Sequence, residues 1–428
     1  MSEQTVPRHP VPTGASQAEM LERYEDDRLG HLLSSARRFG PVCELTEGTV
    51  LVSDPALVHD VLKRTNTDFL VTSNIRRDEV SGERGDPGTE AWMRGRRATQ
   101  KGMGPAALAA HREWLTEETG RLIADWRTRS SVTDPVAELE RLSARSFTRF
   151  CFGTRDPGSA ARRTGELLAA LTPIISSPFH FPRAIRRLMP RYRRSVDAQK
   201  TLERELRRAL DAPGGGGLVE SLADAGLDPE ASVRMLVSNG LASYRVPAAA
   251  VTWTLVALAR HPAVADELAG RLGGAGAGGG PGDADGDAGG DPLLAWTIAE
   301  SLRLWPPNWL ILRTANGEQS CGGWRLPPGA SVIVSPYVVH RTAPSFADDP
   351  DTFRPERWSG MNPGPGEYLP YGIGSRWCVG KALADLELTT IVSALAREFR
   401  LSVRTMAERP DVRTTLLPAS LTLGLRPR

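Results

Sequence analysis

Apolar positions along this chain change their period several times, and each change marks an element. Apolar and β-branched residues crowd 41–46 and 49–53 with Glu47-Gly48 between them, which predicts a short antiparallel hairpin. Asp54 then precedes Pro55 and a run with helical spacing, so a helix capped by Asp54 is expected over 55–64. Residues 71–90 are rich in Gly, Asp and Arg and have no period; they read as a long loop, and loops of that length often carry function. From Trp92 to Leu272 the pattern is almost wholly helical, with breaks near 178–182 and at 213–217. Within it, 231–261 is apolar on most sides, as a helix inside a core would be. A helix over 293–304, short strands near Ile311, Trp324 and 331–335, and a helix after Val379 follow. No internal repeat is visible. The fold class expected is mainly α with a minor β region.

Two segments fall outside this pattern. Residues 1–12 read as a mobile tail. Residues 273–291 are Gly/Ala/Asp low complexity that cannot bury apolar surface; they read as a disordered insertion in one domain spanning 13–428. A flexible linker between two domains is the other reading. Composition adds exclusions. A formal net charge of +2 over 428 residues argues against a dedicated nucleic-acid binder. No run of about 18 apolar residues and no signal-peptide pattern occurs, so no membrane anchor is expected. The four cysteines form no CxxC pair, which argues against a cysteine-type zinc site and offers no disulfide framework. Cys43, Cys151 and Cys321 read as packing residues, and reduced thiols fit a cytoplasmic location.

Cys378 differs. It lies in Tyr371-Gly372-Ile373-Gly374-Ser375-Arg376-Trp377-Cys378-Val379-Gly380 and opens a helical run. The glycines let the backbone fold tightly and approach a flat ligand. A helix start offers free N–H groups and a positive dipole end, which favour a thiolate, and a thiolate there can be the axial ligand of haem iron. This loop resembles the haem-binding signature of cytochromes P-450, with Tyr371 where the family usually has Phe. The resemblance runs from about Pro41 to the C-terminus, apart from 273–291. It implies the cytochrome P-450 fold, haem b as cofactor and metal, Cys378 as the iron ligand, and Tyr371 and Gly380 as part of the cofactor loop.

Further residues fit that framework. Glu300 and Arg303 share one helix face, and Arg354-Pro355-Glu356-Arg357-Trp358 follows before the cysteine loop. The same Glu-to-Arg spacing at Glu25/Arg28, Glu138/Arg141 and Glu205/Arg208 reads as solvated pairs, so order along the chain sets the copy at 300 apart. The resemblance implies that Glu300, Arg303 and Arg357 form a buried structural ion cluster. It also implies that Trp92, Arg96, Arg313 and Arg376 serve the haem carboxylates, which need charge-assisted donors.

The long central helix departs from the family. Where an acid and an alcohol usually stand, this chain has Arg245 and Val246, preceded by Ser243 and Tyr244 and followed by Pro247. Monooxygenation needs protons delivered to bound oxygen, and Val246 cannot supply or order them. A register one turn away would make Ser238, Asn239 or Ser243 the polar group. Three chemistries stay open: a monooxygenase that draws protons from substrate or ordered water, a peroxide-driven enzyme, and an oxidation other than hydroxylation such as coupling, desaturation or rearrangement. Arg245 is either an anchor for a substrate acid or a cation paired within the fold. Phe179, Phe181, Trp309, Leu310 and Tyr244 are candidate substrate contacts; packing is the commoner use of such rings. The small-molecule pocket is expected among 71–90, 172–183, 242–246 and 308–311. The resemblance implies electrons from a ferredoxin and its reductase, with Arg94, Arg97, Lys101 and Lys381 as a basic docking patch or simply solvated charge. The family also suggests secondary-metabolite biosynthesis. A haem-binding scaffold without oxygenase activity is the reading from another class.

Overall fold

The structure is a computed structural model and describes residues 17–72, 80–81, 87–153, 159–175, 189–212, 216–274 and 291–428. The expected tail, residues 73–79 and 82–86 of the 71–90 loop, nearly all of the 273–291 insertion, and both Phe179 and Phe181, lie outside the described residues. In chain order the elements are α1 (Gln17–Asp26), α2 (Arg28–Phe39), β1 (Val42–Thr46), β2 (Thr49–Val52), α3 (Pro55–Lys63), β3 (Phe69–Thr72), β4 (Val80–Ser81), α4 (Pro87–Gly102), α5 (Pro105–Arg127), β5 (Ser131–Thr133), α6 (Pro135–Phe152) and α7 (Ala160–Ile175). They continue as α8 (Pro190–Asp211), α9 (Leu218–Asp224), α10 (Pro229–Arg260), α11 (Pro262–Gly274), α12 (Pro292–Leu304), β6 (Ile311–Ala315), β7 (Gln319–Cys321), β8 (Trp324–Leu326), β9 (Ser331–Val334) and α13 (Pro336–Thr342). The last are α14 (Lys381–Glu398), β10 (Phe399–Met406), β11 (Pro410–Asp411), β12 (Leu417–Pro418) and β13 (Leu421–Pro427).

Local chemistry sets many helix starts. Pro opens α3, α6 and α10, where a missing N–H costs nothing. An Asp side chain caps each one: Asp54 accepts from Leu57 N at 2.9 Å, Asp134 from Ala137 N at 3.1 Å and Asp228 from Ala231 N at 2.7 Å. The hairpin, the helix from Pro55, the long apolar helix and the helix after Val379 stand where the sequence pattern places them.

The chain forms two compact units, exchanging between them after Glu90, Leu302 and Cys378. The first, Met1–Glu90 with Arg303–Cys378, is built on a six-stranded sheet in the order β1-β2-β9-β6-β3-β4. β2 and β9 run parallel with Val50 beside Val332 and Val52 beside Val334, and these residues sit in a core with Phe69, Val339 and Phe346.

The second unit, Ala91–Leu302 with Val379–Arg428, is organised around α10. This helix packs against α6, α7, α8, α14 and β10. It runs unbroken through Pro247, and every residue from Pro247 to Leu258 is buried. Among the described residues α10 is the one helix long and apolar enough to cross a membrane; 67% of its most apolar window is buried inside the protein, the mark of a core helix. Several features differ from the sequence reading. Helices α1 and α2 precede the hairpin, and the 71–90 segment read as a loop holds the end of β3, β4 and the start of α4; β3 and β4 meet by pairing Val71 with Ser81 and Thr72 with Val80, too short a ladder to leave a period in the sequence. Strand β5 interrupts the helical region and pairs with β13, and β10 follows α14 without a breaking residue to complete that sheet.

Candidate functional site

In the first unit the cysteine loop folds as a 3₁₀ turn over Gly374–Arg376. The Cys378 N–H donates to the Tyr371 carbonyl at 2.7 Å. Gly372 and Gly374 have φ of 65° and 75°. A Cβ on Gly374 would stand 2.2 Å from the Leu62 carbonyl oxygen, so this glycine is required both for its backbone angle and for the close approach to α3. Ile373 packs on the unit's core and holds the loop down.

Every residue from Tyr371 to Gly380 is half-buried, Cys378 included. The other three cysteines are buried. Burial pushes the Cys43 thiol up to about 12, the Cys321 thiol to about 11, and the Cys151 thiol well above its ordinary value. Cys378 is therefore the one cysteine whose sulfur can reach a ligand. Gly380, two residues on, is the N-cap of α14.

Arg313 lies on β6 between Val71 of β3 and Val332 of β9. It is buried, and its Nε donates to Thr65 Oγ1 at 2.9 Å and its Nη1 to the Leu312 carbonyl at 2.8 Å. Among the described residues no carboxylate pairs with it, and burial pushes its pKa down to about 10. A buried cation supplied only with neutral acceptors suits an anionic partner. Arg376 donates from Nε to Asn66 Oδ1 at 3.1 Å. In the second unit Arg96 lies over the Trp92 ring at 4.7 Å, one turn along α4, and Trp92 packs against the unit's core. Arg94, Arg97 and Lys101 are exposed on α4, whereas Lys381 pairs with Asp385 at 2.6 Å.

Arg303 and Arg357 come together. Arg303 donates to the carbonyls of His340, Pro350 and Thr352, and Arg357 to those of Asp348, Asp349 and Thr352, so Thr352 serves both. Glu300, one turn before Arg303 on α12, is fully buried. Sequence reasoning missed His340. Its Nδ1–H donates to the Arg303 carbonyl at 3.1 Å, and its Nε2 accepts the Leu369 N–H at 2.7 Å. Acceptance at Nε2 requires the neutral ring, and burial pushes its pKa down to about 3. Through Leu369 this imidazole ties Arg303 to the chain just before Tyr371.

The altered segment of α10 sorts its side chains by direction. Arg245 pairs with Glu140 of α6 at 2.9 Å and reaches Thr414 Oγ1 at 3.4 Å. Burial raises the Glu140 carboxyl even beside that cation. Of the two readings of Arg245, the paired cation is the one this geometry shows. The Tyr244 hydroxyl lies against Gly165 of α7, where a Cβ would come within 2.5 Å of it. Ser238 and Ala242 are exposed and Ser243 and Val246 half-exposed; with i, i+4 spacing they share one uncovered strip. Trp309 is a buried ring whose carbonyl accepts from Ser335 Oγ at 2.7 Å, and Leu310 beside it is half-buried.

Comparison with known proteins adds identity to this geometry. The family model described as Cytochrome P450 matches residues 230–424. Cyclooctatin synthase of Streptomyces melanosporofaciens is 30% identical over 358 residues, covering 77% of this chain and 74% of that protein. Pentalenene oxygenase of Streptomyces avermitilis is 26% identical, with 78% of each chain covered. Among solved structures, a six-coordinated cytochrome P450 from Thermus thermophilus superposes with a TM-score of 0.71 at 23% identity, covering 94% of this chain and 98% of that one. A zebra fish cytochrome P450 determined with progesterone does so with a TM-score of 0.75 at 20% identity, over 94% and 99% of the two chains. These structures share the fold.

Proposed function

Because the chain belongs to the cytochrome P450 family, and is with that family a haem b oxidoreductase, we propose that it hydroxylates a neutral, terpene-derived small molecule in the making of a natural product. The residues present fit the cofactor. One half-buried thiol ahead of a helix and one buried arginine with no carboxylate partner among the described residues are what an iron porphyrin with two acids requires. Cys378 would hold the iron, and Arg313, Arg376 and the Trp92–Arg96 pair would take the carboxylates. When bound, the haem–thiolate group supplies dioxygen activation and oxygen insertion into an unactivated C–H bond.

The substrate reading rests on one observation: Arg245 is held by Glu140. With that guanidinium engaged, Ser238, Ala242, Ser243 and Val246 offer an uncharged strip on α10. Along α10 itself, the next cation in the row of Ser238, Ala242 and Val246 is Arg234, which is exposed and roughly three turns from Val246. Such a strip suits an apolar neutral ligand and gives a fatty acid no counter-charge. The Streptomyces relatives act as a cyclooctatin synthase, a cyclooctat-9-en-7-ol 5-monooxygenase and a pentalenene oxygenase by name, which supports the terpene class. Ser243, three residues before Val246, carries the hydroxyl that would order water for proton delivery. Electrons would come in the cytoplasm from a ferredoxin and its reductase, docked on the exposed Arg94, Arg97 and Lys101 of α4.

Reconstitution tests this directly. The purified protein should give the haem–thiolate ferrous carbonyl spectrum, lose it on Cys378→Ala, and show a spin shift with cyclic terpene hydrocarbons or alcohols but not with fatty acids. With ferredoxin, reductase and labelled dioxygen, one labelled oxygen should enter the terpene. Fatty-acid oxidation driven by hydrogen peroxide, with no terpene turnover, would overturn the reading.

A further inference from the structure

The turn after α3 holds two adjacent side chains that each grip one arginine of the proposed cofactor site. Thr65 and Asn66 are both buried. Asn66 has φ of 75°, a left-handed conformation that asparagine tolerates better than most residues other than glycine. Its backbone N–H donates to the Phe69 carbonyl at 2.9 Å, which closes the turn. In this pose its Oδ1 accepts the Arg376 Nε–H at 3.1 Å, and its Nδ2 donates to Ser375 Oγ at 3.1 Å. Ser375 Oγ in turn donates to the Thr65 carbonyl at 3.2 Å. Thr65 Oγ1 accepts the Arg313 Nε–H at 2.9 Å.

Both guanidiniums are therefore gripped at the same atom, Nε, by neighbours in sequence. An acceptor at Nε fixes the plane of a guanidinium and leaves its Nη edge for other partners. Arg313 shows this: its Nη2 makes no hydrogen bond among the described residues. The acceptors are neutral oxygens, so they orient the cations without neutralising them. A carboxylate in the place of Asn66 would hold Arg376 in the same pose, so that it still meets the haem carboxylates, while adding a negative charge nearby.

We infer that Asn66 is a positioning residue for the haem: through Arg376 it sets the fixed positive charge at the haem carboxylates, and with it cofactor retention and the iron reduction potential. This rests on the haem reading above and assigns a role to a turn outside the cysteine loop. A cation held near the carboxylates favours the reduced, less positive iron. Loosening it should lower the midpoint.

The test uses the full-length haem-loaded protein. Asn66→Gly keeps the left-handed backbone at no strain and deletes only the amide. Its haem transfer to apomyoglobin should be about tenfold faster than the parent's, the lower end for a lost hydrogen bond to a charged group. Its midpoint in spectroelectrochemical titration should fall. Asn66→Asp keeps the oxygen that meets Arg376 and should return the transfer rate to within about twofold of the parent, while its added charge lowers the midpoint further. A glycine variant with parental transfer rate and parental midpoint overturns the inference, as does an aspartate variant that releases haem as fast as the glycine one. Failure of the haem reading would show separately, as a parent protein that takes up no haem or lacks the thiolate carbonyl spectrum.

Discussion

Replacing Glu387 by Gln should remove the loss of stability that this buried acid causes between pH 4.5 and about 8. Glu387 lies on α14 and is buried; its Oε1 accepts from Ser146 Oγ, which also meets His111 Nε2 at 2.9 Å. Its Oε2 is buried and, among the described residues, makes no well-formed hydrogen bond, although the nearby Ser143 hydroxyl, like that of Ser146, offsets part of the burial. No cation among the described residues compensates the acid, and burial pushes its pKa from 4.5 up to about 8. The native state thus keeps a proton that the unfolded chain releases above pH 4.5. Stability falls as pH rises from 4.5 to about 8, by roughly 1.4 kcal/mol per unit, and is flat above. The full cost is on the order of 5 kcal/mol, of which about 3 falls between pH 6 and pH 9. The opposite limb belongs to His111 and His340, whose pKa values burial lowers to about 4 and about 3. They stabilise above pH 6.5, and that contribution is lost as the pH falls through those values. Glu387→Gln keeps an acceptor for Ser146 and offers a donor toward Ser143. Urea unfolding of parent and variant, followed by circular dichroism at pH 6 and pH 9, reads the difference while common groups cancel. The variant should gain about 3 kcal/mol on the parent between the two pH values. An unchanged difference would refute the buried neutral acid.

Three further outcomes follow from the geometry. Arg245→Met leaves the half-buried Glu140 carboxylate without its guanidinium, and should cost about 2 kcal/mol of stability in urea unfolding while leaving the dissociation constant for a neutral terpene unchanged; weakened terpene binding without loss of stability would contradict it. Iodoacetamide at mildly alkaline pH should leave Cys43, Cys151 and Cys321 unmodified in the native protein and alkylate all three after denaturation, read by peptide mass mapping, because burial holds each thiol protonated. Gly374→Ala combines a φ of 75° with a Cβ 2.2 Å from the Leu62 carbonyl, and should abolish normal haem incorporation, measured as the ratio of haem to protein absorbance; full incorporation would show that the loop can refold around a methyl group.

The parts legible in sequence are those whose chemistry is local. The cysteine loop, its glycines and Arg376 occupy ten consecutive residues, and helix caps such as Asp54 act three residues ahead. The partners that hold them are distant. Asn66 meets Arg376 across 310 positions, and His340 reaches Leu369 across 29, with no period or composition to announce either. Arg245 illustrates the limit from the other side: an anchor and a paired cation look alike until Glu140, 105 positions away, is placed beside it. The C-terminal strands escaped because β10 continues directly from α14 at Phe399, with no proline or glycine at the junction.

The segment 243–247 looks at first like the loss of an oxygenase. The directions of its side chains argue for a change of ligand instead. Arg245 would be a costly charge on the uncovered strip of α10; the fold turns it toward Glu140 and Thr414. Tyr244, the other large polar group, fills the space left by Gly165. Pro247 leaves α10 helical and is buried. What remains uncovered is small, uncharged and bounded by Val246, with hydroxyls at Ser238 and Ser243. Decay would scatter substitutions without regard to direction. Here each bulky or charged residue has a matched partner on α6 or α7. The same logic holds in the first unit, where Thr65 and Asn66 orient Arg313 and Arg376 through neutral oxygens. Both arrangements fit the proposed anionic cofactor and apolar guest, and a protein that had stopped using them would need neither.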